Sequence, residues 1–228
     1  MKRILVNLGL ALLLAVTLLP TLSFCANSNP RVLPPESQLY GMSYGEWSAR
    51  WFQWAASMPL DDHPLADTAD CSRGQLGPVW FLGGSFTVSN VVTRNCRVPA
   101  GKALFFPIVN VDCSSLEQPP FFGDTPGARR TCAAEIIDTV TDLSAEVDGE
   151  PLQHLRLYRA TSPNLVFAVP PAPNVLGVLD GGSGEMVADG YYLMLEPLPV
   201  GNHTIHFSGT IGVFNFTLEI TYNLTVKR

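Results

Sequence analysis

Phe214-Asn-Phe-Thr-Leu-Glu-Ile-Thr-Tyr-Asn-Leu-Thr-Val226 stands near the end of the chain. From Phe216 onward the apolar Leu218, Ile220, Tyr222, Leu224 and Val226 alternate with Thr217, Glu219, Thr221, Asn223 and Thr225. A period of two over so long a run is the mark of an antiparallel strand with one buried and one wet face. Working backwards, shorter runs of the same kind follow at Ala145–Val147, Leu155–Ala160, Leu165–Val169, Tyr191–Glu196 and His203–Phe207. Asp148-Gly149, Asp180-Gly181-Gly182 and Asp189-Gly190 separate them as turns. Val79–Leu82, Phe86–Val92 and Ala103–Val109 extend the pattern upstream.

Two helices interrupt it. Ser43 and Glu46 have capping-box spacing, and Trp47, Trp51, Trp54 and Met58 recur at helical intervals, which predicts an amphipathic helix over 44–57. Thr125 as N-cap, Pro126 at the first helical position and Cys132, Ile136, Val140 and Leu143 on one face predict a second. The expected fold is mainly β: an antiparallel β-sandwich, Ig-like or jelly-roll-like, with two accessory helices and disulfide staples.

The staples come from the cysteines. Setting Cys25 aside, Cys71, Cys96, Cys113 and Cys132 form an even set without the close ligand pairs of a zinc site. Three connectivities exist; Cys71 with Cys96 and Cys113 with Cys132 close the shortest loops.

Lys2 and Arg3 precede an apolar run from Ile4 to Leu19 that ends at Pro20, the order of a secretory signal peptide and too short to span a bilayer. Cleavage after Ser23 or Cys25 fits, so residues 1–25 are expected to leave. Phe24 is too bulky for a lipoprotein box at Cys25, which makes lipidation the weaker alternative. Residues 26–40 read as an extended leader and 41–228 as one globular domain, secreted or periplasmic, with no further membrane span. The whole chain has a net charge of −6, and without Lys2 and Arg3 it carries 12 basic against 20 acidic residues. Such a surface repels phosphate backbones and argues against nucleic acid as a partner.

Gly41-Met-Ser43-Tyr-Gly45 fits G-x-S-x-G, but only about fifteen residues precede it after the signal, where a nucleophile elbow needs several strands, and Ser43 is already a cap. His203 and His206 lie three apart on a strand and point to opposite faces; His63 and His154 are isolated and expected to be solvated or capping. Asp61, Asp62, Asp67 and Asp70 supply oxygen ligands for a calcium ion, although the spacing is not an EF-hand and a solvated acidic loop accounts for them equally. Asp112, Glu117 and Asp124 surround Cys113 and Pro119-Pro-Phe121-Phe122, and Asp112 with Glu117 is the candidate acid–base pair. Trp47, Trp51, Trp54 and Trp80 are candidates for a flat sugar-binding platform or for core. Asn202, Asn215 and Asn223 head glycosylation sequons, of consequence only in a eukaryotic host.

Ser43-Tyr-Gly-Glu-Trp-Ser-Ala-Arg-Trp-Phe-Gln-Trp54, Gly77-Pro-Val-Trp-Phe-Leu82, Pro99-Ala-Gly-Lys-Ala-Leu-Phe-Phe-Pro-Ile108 and Thr221-Tyr-Asn-Leu-Thr-Val226 together resemble a family of uncharacterised exported bacterial proteins, over most of the chain beyond the signal. The resemblance implies a bacterial host and carries no functional residues with it. Abundant aromatics and sparse catalytic groups favour a non-catalytic binding module, for a glycan, which requires an exposed aromatic patch. The alternative is a small secreted hydrolase of polysaccharide or ester, which requires converging carboxylates. A purely structural envelope protein requires neither.

Overall fold

The computed structural model describes residues 29–61, 63–66, 70–85 and 91–228. The signal segment, Cys25 and the start of the leader lie outside them. The chain is mainly β, with two five-stranded sheets, two α-helices and two disulfides. In the first sheet β1 (Val79–Phe81), β3 (Ala103–Ser114), β8 (Gly182–Leu195) and β6 (Arg159–Thr161) lie in that order, and β7 (Leu165–Val169) also pairs with β8. The second has the order β2 (Val91–Pro99), β10 (Phe216–Lys227), β9 (Gly201–Ile211), β4 (Val140–Val147) and β5 (Glu150–Pro151).

The expected all-antiparallel order is corrected at two places, because β1 runs parallel to β3 and β2 parallel to β10. Alternation along a strand records which face is buried, not the direction of its neighbour. β10 buries the alternate residues anticipated from its sequence, Leu218 to Val226. β2 does the same with Val92, Arg94, Cys96 and Val98, so the strand expected to end at Val92 continues to Pro99; residues 86–90 are outside the described set. The inward Arg94 hides the period. Its guanidinium donates to the Tyr222 hydroxyl (2.6 Å) and to the Leu65 carbonyl (3.1 Å).

Helix α1 (Tyr44–Ala56) begins as expected: the Ser43 hydroxyl accepts from the Glu46 N–H while the Glu46 carboxylate accepts from the Ser43 N–H. It lies on the first sheet, with Tyr44 against Phe105 (6.1 Å between rings) and Phe52 against Phe167 (5.4 Å). Gly45 permits this approach, since a Cβ there would overlap the Thr161 carbonyl. Helix α2 (Pro126–Ile137) stops short of the expected Leu143. Thr139-Val140-Thr141 is a β-branched run, and Val140 opens β4 instead of a further turn.

Phe106 of β3 stacks on Phe207 of β9 (5.0 Å), joining the inner faces of the two sheets. The bridges are Cys71–Cys96 and Cys113–Cys132, the pairing with the shortest loops; the second ties the end of β3 to α2. Residues 29–33, expected in a leader ahead of the fold, are bonded into it: Leu33 N–H donates to the Met194 carbonyl (2.9 Å) and Asn29 exchanges two bonds with Gln153. Among the described residues no helix is long and apolar enough to cross a membrane.

Candidate functional site

β1 covers only the first residues of β3, which is four times as long. The last main-chain bond between them runs from Leu82 N–H to the Phe105 carbonyl (3.0 Å). Gly83 is then drawn towards the second sheet, where its N–H donates to the Tyr222 hydroxyl (3.0 Å), which itself donates to the Gly83 carbonyl (2.8 Å). Only glycine fits, because a Cβ would come within 2.8 Å of the Pro64 carbonyl oxygen. Beyond Phe105 no strand among the described residues pairs with the outer edge of β3 until Ser114, which bonds the Phe121 carbonyl and Gly123 N–H.

A cavity of about 300 Å³ occupies that position. Trp51 and Phe52 of α1 wall one side, Phe216 and Leu218 of β10 the other, and Phe121 and Leu176 close it further. Its polar groups include Asn110, Asp112 and Glu117, so the cleft is a mostly apolar pocket with a few convergent polar groups.

Asp112 projects from β3 and Glu117 from the loop just after it. The Ser114 hydroxyl accepts from the N–H groups of Leu116 (3.3 Å) and Glu117 (3.2 Å) and donates to Glu117 Oε2 (2.8 Å), folding that carboxyl back over the strand end. Cys113, between Asp112 and Ser114, holds the segment to α2. Burial pushes the Asp112 carboxyl well above the usual carboxylate range, and the adjoining Glu117 pushes it further. Glu117 is raised as well, by burial, against the lowering effect of its bonds to Asp112 and Ser114. Although Asp112 as a residue is partly exposed, its Oδ2 is sealed from solvent and meets no donor among the described residues. A single proton on the pair would relieve both the repulsion and the orphaned oxygen, as in other carboxyl pairs that share a site.

The four tryptophans form no surface platform. Trp47, Trp51, Trp54 and Trp80 are 6%, 4%, 8% and 6% exposed; the first three belong to α1, and Trp80 is buried in β1 on the face opposite Phe81, which meets Trp47 and Trp54. Three indole N–H groups donate to main-chain carbonyls, of Leu39, Leu82 and Arg73. Helical spacing of aromatics here marks core, and Trp51 alone also lines the cleft.

Asp61 and Asp70 are exposed, and Asp70 accepts from the Ser72 N–H and hydroxyl; Asp62 and Asp67 lie outside the described residues. Among the described residues no three His, Cys, Asp or Glu side chains are grouped to hold a metal, and Asp124 is exposed away from the cleft. His203 Nδ1 bonds Asp148 (2.8 Å) and His206 Nδ1 bonds Thr221 (3.0 Å), without a shared partner. Of the two expected states for His63, solvated or capping, the first does not hold: the ring is fully buried and bonds the local main chain, with Nε2–H donating to the Ala55 carbonyl (2.8 Å) and Nδ1 accepting from Leu65 N–H (3.1 Å). Those roles require the neutral ring, and burial lowers its pKa. The Ser43 hydroxyl donates to Glu46 (2.8 Å), so G-x-S-x-G is a helix cap.

Asn110, Leu176 and Phe216 carry no signal in the sequence as cleft residues, since they come from separate elements, whereas Phe121 stands in the proline-rich stretch beside the acidic group. Ser114 carried a local signal: a serine three residues before Glu117 is the spacing of a turn closed by its own hydroxyl.

No family model matches this chain, and no curated protein does. Among solved structures, PbICP-C in complex with falcipain-2 aligns over 66% of this chain and 100% of its own at 11% identity with a TM-score of 0.26. The solution structure of amebosin aligns over 60% of this chain and 96% of its own at 14% identity with a TM-score of 0.18. Scores this low carry no assignment of fold or function.

Proposed function

We propose that the cleft is a hydrolytic site in which Asp112 and Glu117 act as a one-proton acid–base pair on the carbonyl of a small, largely apolar ester or amide. The observation that carries this reading is the meeting of two carboxyls in one cleft, one of them with a sealed oxygen that lacks a donor. The ionised carboxyl takes a proton from water as the water oxygen adds to the carbonyl carbon. The protonated carboxyl gives its proton to the carbonyl oxygen. Collapse of the adduct breaks the bond to the leaving group, which takes up the proton the base collected, while an adduct hydroxyl gives its proton back to the other carboxylate as the carbonyl re-forms, so that the pair returns to its one-proton state. Carboxyls in direct contact are closer than the gap of roughly 5 Å or more that glycoside hydrolysis needs, so an acyl substrate is favoured over a polysaccharide.

The same residues support a second reading, a binding module that holds a small ligand in the apolar part of the cleft without turning it over. In either case we read the two facing sheets as a sandwich, and the two disulfides support a secreted or periplasmic location. The test is turnover of 4-nitrophenyl esters of short acids by the full chain, by Asp112→Asn and by Glu117→Gln. Each substitution is expected to lower kcat by roughly a hundredfold or more. In the parent, activity is expected to fall as the pH rises through the elevated pKa and the pair gives up its last proton. Equal turnover by all three proteins refutes the hydrolytic reading.

A further inference from the structure

We infer that the cleft takes its ligand as an extended, consecutively apolar peptide strand added to the open edge of β3 at Asn110–Asp112. The inference rests on the cleft being the binding site, and it names the substrate class of the proposed hydrolysis.

The outer edge of β3 can be followed through its hydrogen bonds. At one end the Phe105 carbonyl accepts from Leu82 N–H (3.0 Å); at the other, Ser114 N–H donates to the Phe121 carbonyl (2.9 Å) and the Ser114 carbonyl accepts from Gly123 N–H (3.0 Å). Main-chain groups in a strand alternate sides, so counting back by two from Ser114 turns those of Asp112 and Asn110 to the same outer edge. Val109, Val111 and Cys113 then face β8, where they stand opposite Tyr191, Asp189 and Val187. The Pro107/Val109 bulge reconciles this count with the one from Phe105. Asp112 N–H turns towards its own carboxyl, whereas the N–H and carbonyl of Asn110 meet no partner among the described residues.

This edge is recessed instead of lying on the surface, and the cavity occupies the place of the next strand. A strand paired there would have Trp51 and Phe52 against one face and Phe216 and Leu218 against the other. Strands covered on both faces are apolar at successive positions, which sets the kind of peptide that fits. Main-chain pairing gives affinity, the two apolar walls select side chains, and a peptide carbonyl is carried along the edge towards Asp112 and Glu117.

The probe is acetyl-Val-Phe-Leu-Val-Lys-amide, titrated by tryptophan fluorescence into the Asp112→Asn/Glu117→Gln protein, with a series of analogues N-methylated at one residue each. Strand addition predicts alternation: methylation at every second residue weakens binding roughly tenfold, and methylation between them leaves it nearly unchanged. Asn110→Pro removes the outward N–H without touching the bonds to β8, and is expected to weaken the unmethylated peptide roughly tenfold. Losses that are uniform along the series, or absent throughout, overturn the inference. An alternating series with no cleavage by the parent protein supports docking and sinks hydrolysis; ester turnover without alternation sinks docking alone.

Discussion

The two disulfides should be equivalent for stability and different for the site. Cys113–Cys132 closes a separation of 19 residues and Cys71–Cys96 one of 25. In the chain-entropy model these loops are worth about 3.2 and 3.5 kcal/mol at 25 °C. With a urea slope of about 2 kcal/mol per molar, each double alanine variant should unfold at a midpoint roughly 1.6 to 1.8 M below the parent. The site consequence separates them. Cys113 stands between Asp112, one member of the carboxyl pair, and Ser114, which bonds Glu117, so Cys113→Ala/Cys132→Ala should loosen the carboxyl contact and drop the pair's titration towards ordinary values. Cys71→Ala/Cys96→Ala should leave that titration in place. Urea melts and the pH profile of the carboxyl carbons, measured on both variants under native conditions, decide the matter. Midpoint shifts below about 0.3 M would refute the loop argument, and identical effects on the carboxyl pair would refute the anchoring role of Cys113.

Other expectations concern the scaffold. Ser43→Ala removes the capping hydroxyl of α1 and should cost about 1 kcal/mol in chemical denaturation; an unchanged midpoint would contradict the capping box. Gly45→Ala should destabilise by roughly 1–3 kcal/mol despite alanine's better helix propensity, because the new Cβ overlaps the Thr161 carbonyl. A gain in stability would mean that α1 and β6 are not in contact there. His63 is buried neutral with a lowered pKa, so the unfolded chain takes up its proton first as the pH falls. Its contribution is therefore present above about pH 6.5 and lost as the pH drops below that value towards the folded pKa. His63→Gln should flatten that part of the stability profile, and a profile as steep as the parent's would place the titrating group elsewhere.

Much of the fold was legible because single residues speak for local structure: Ser43 and Glu46 start α1, Thr125 and Pro126 start α2, and the alternation after Phe216 fixes which face of β10 is buried. What failed did so where tertiary contacts reverse a local signal. Arg94 reads as surface, yet it faces inward on hydroxyl and carbonyl acceptors, so the continuation of β2 beyond Val92 is hidden in the sequence. Val140 continues a helical spacing, yet its β-branched neighbours join β4. The parallel pairs bring together segments whose sequences hold no trace of each other. At the site, Asp112 and Glu117 could be named from the sequence as a candidate pair, but their contact depends on the Ser114 turn. The opening beside them depends on Gly83 being drawn away by Tyr222. The tryptophans looked most like a ligand surface and are core, because helical spacing cannot tell which layer a helix face meets.

The central claim is that Asp112 and Glu117 form one buried acid pair holding a single proton. Carbon-detected titration of the full chain labelled with ¹³C at aspartate and glutamate carboxyls, with Asp112→Asn and Glu117→Gln for assignment, measures it directly. Both carboxyl signals are expected to shift together in a step clearly above the ordinary range near pH 4, and Glu117→Gln is expected to lower the Asp112 step. Because the folded chain holds that proton more tightly than the unfolded one, stability should fall as the pH rises through the step, and Asp112→Asn should remove the decline. Two independent titrations near pH 4, each indifferent to loss of the other carboxyl, would contradict it.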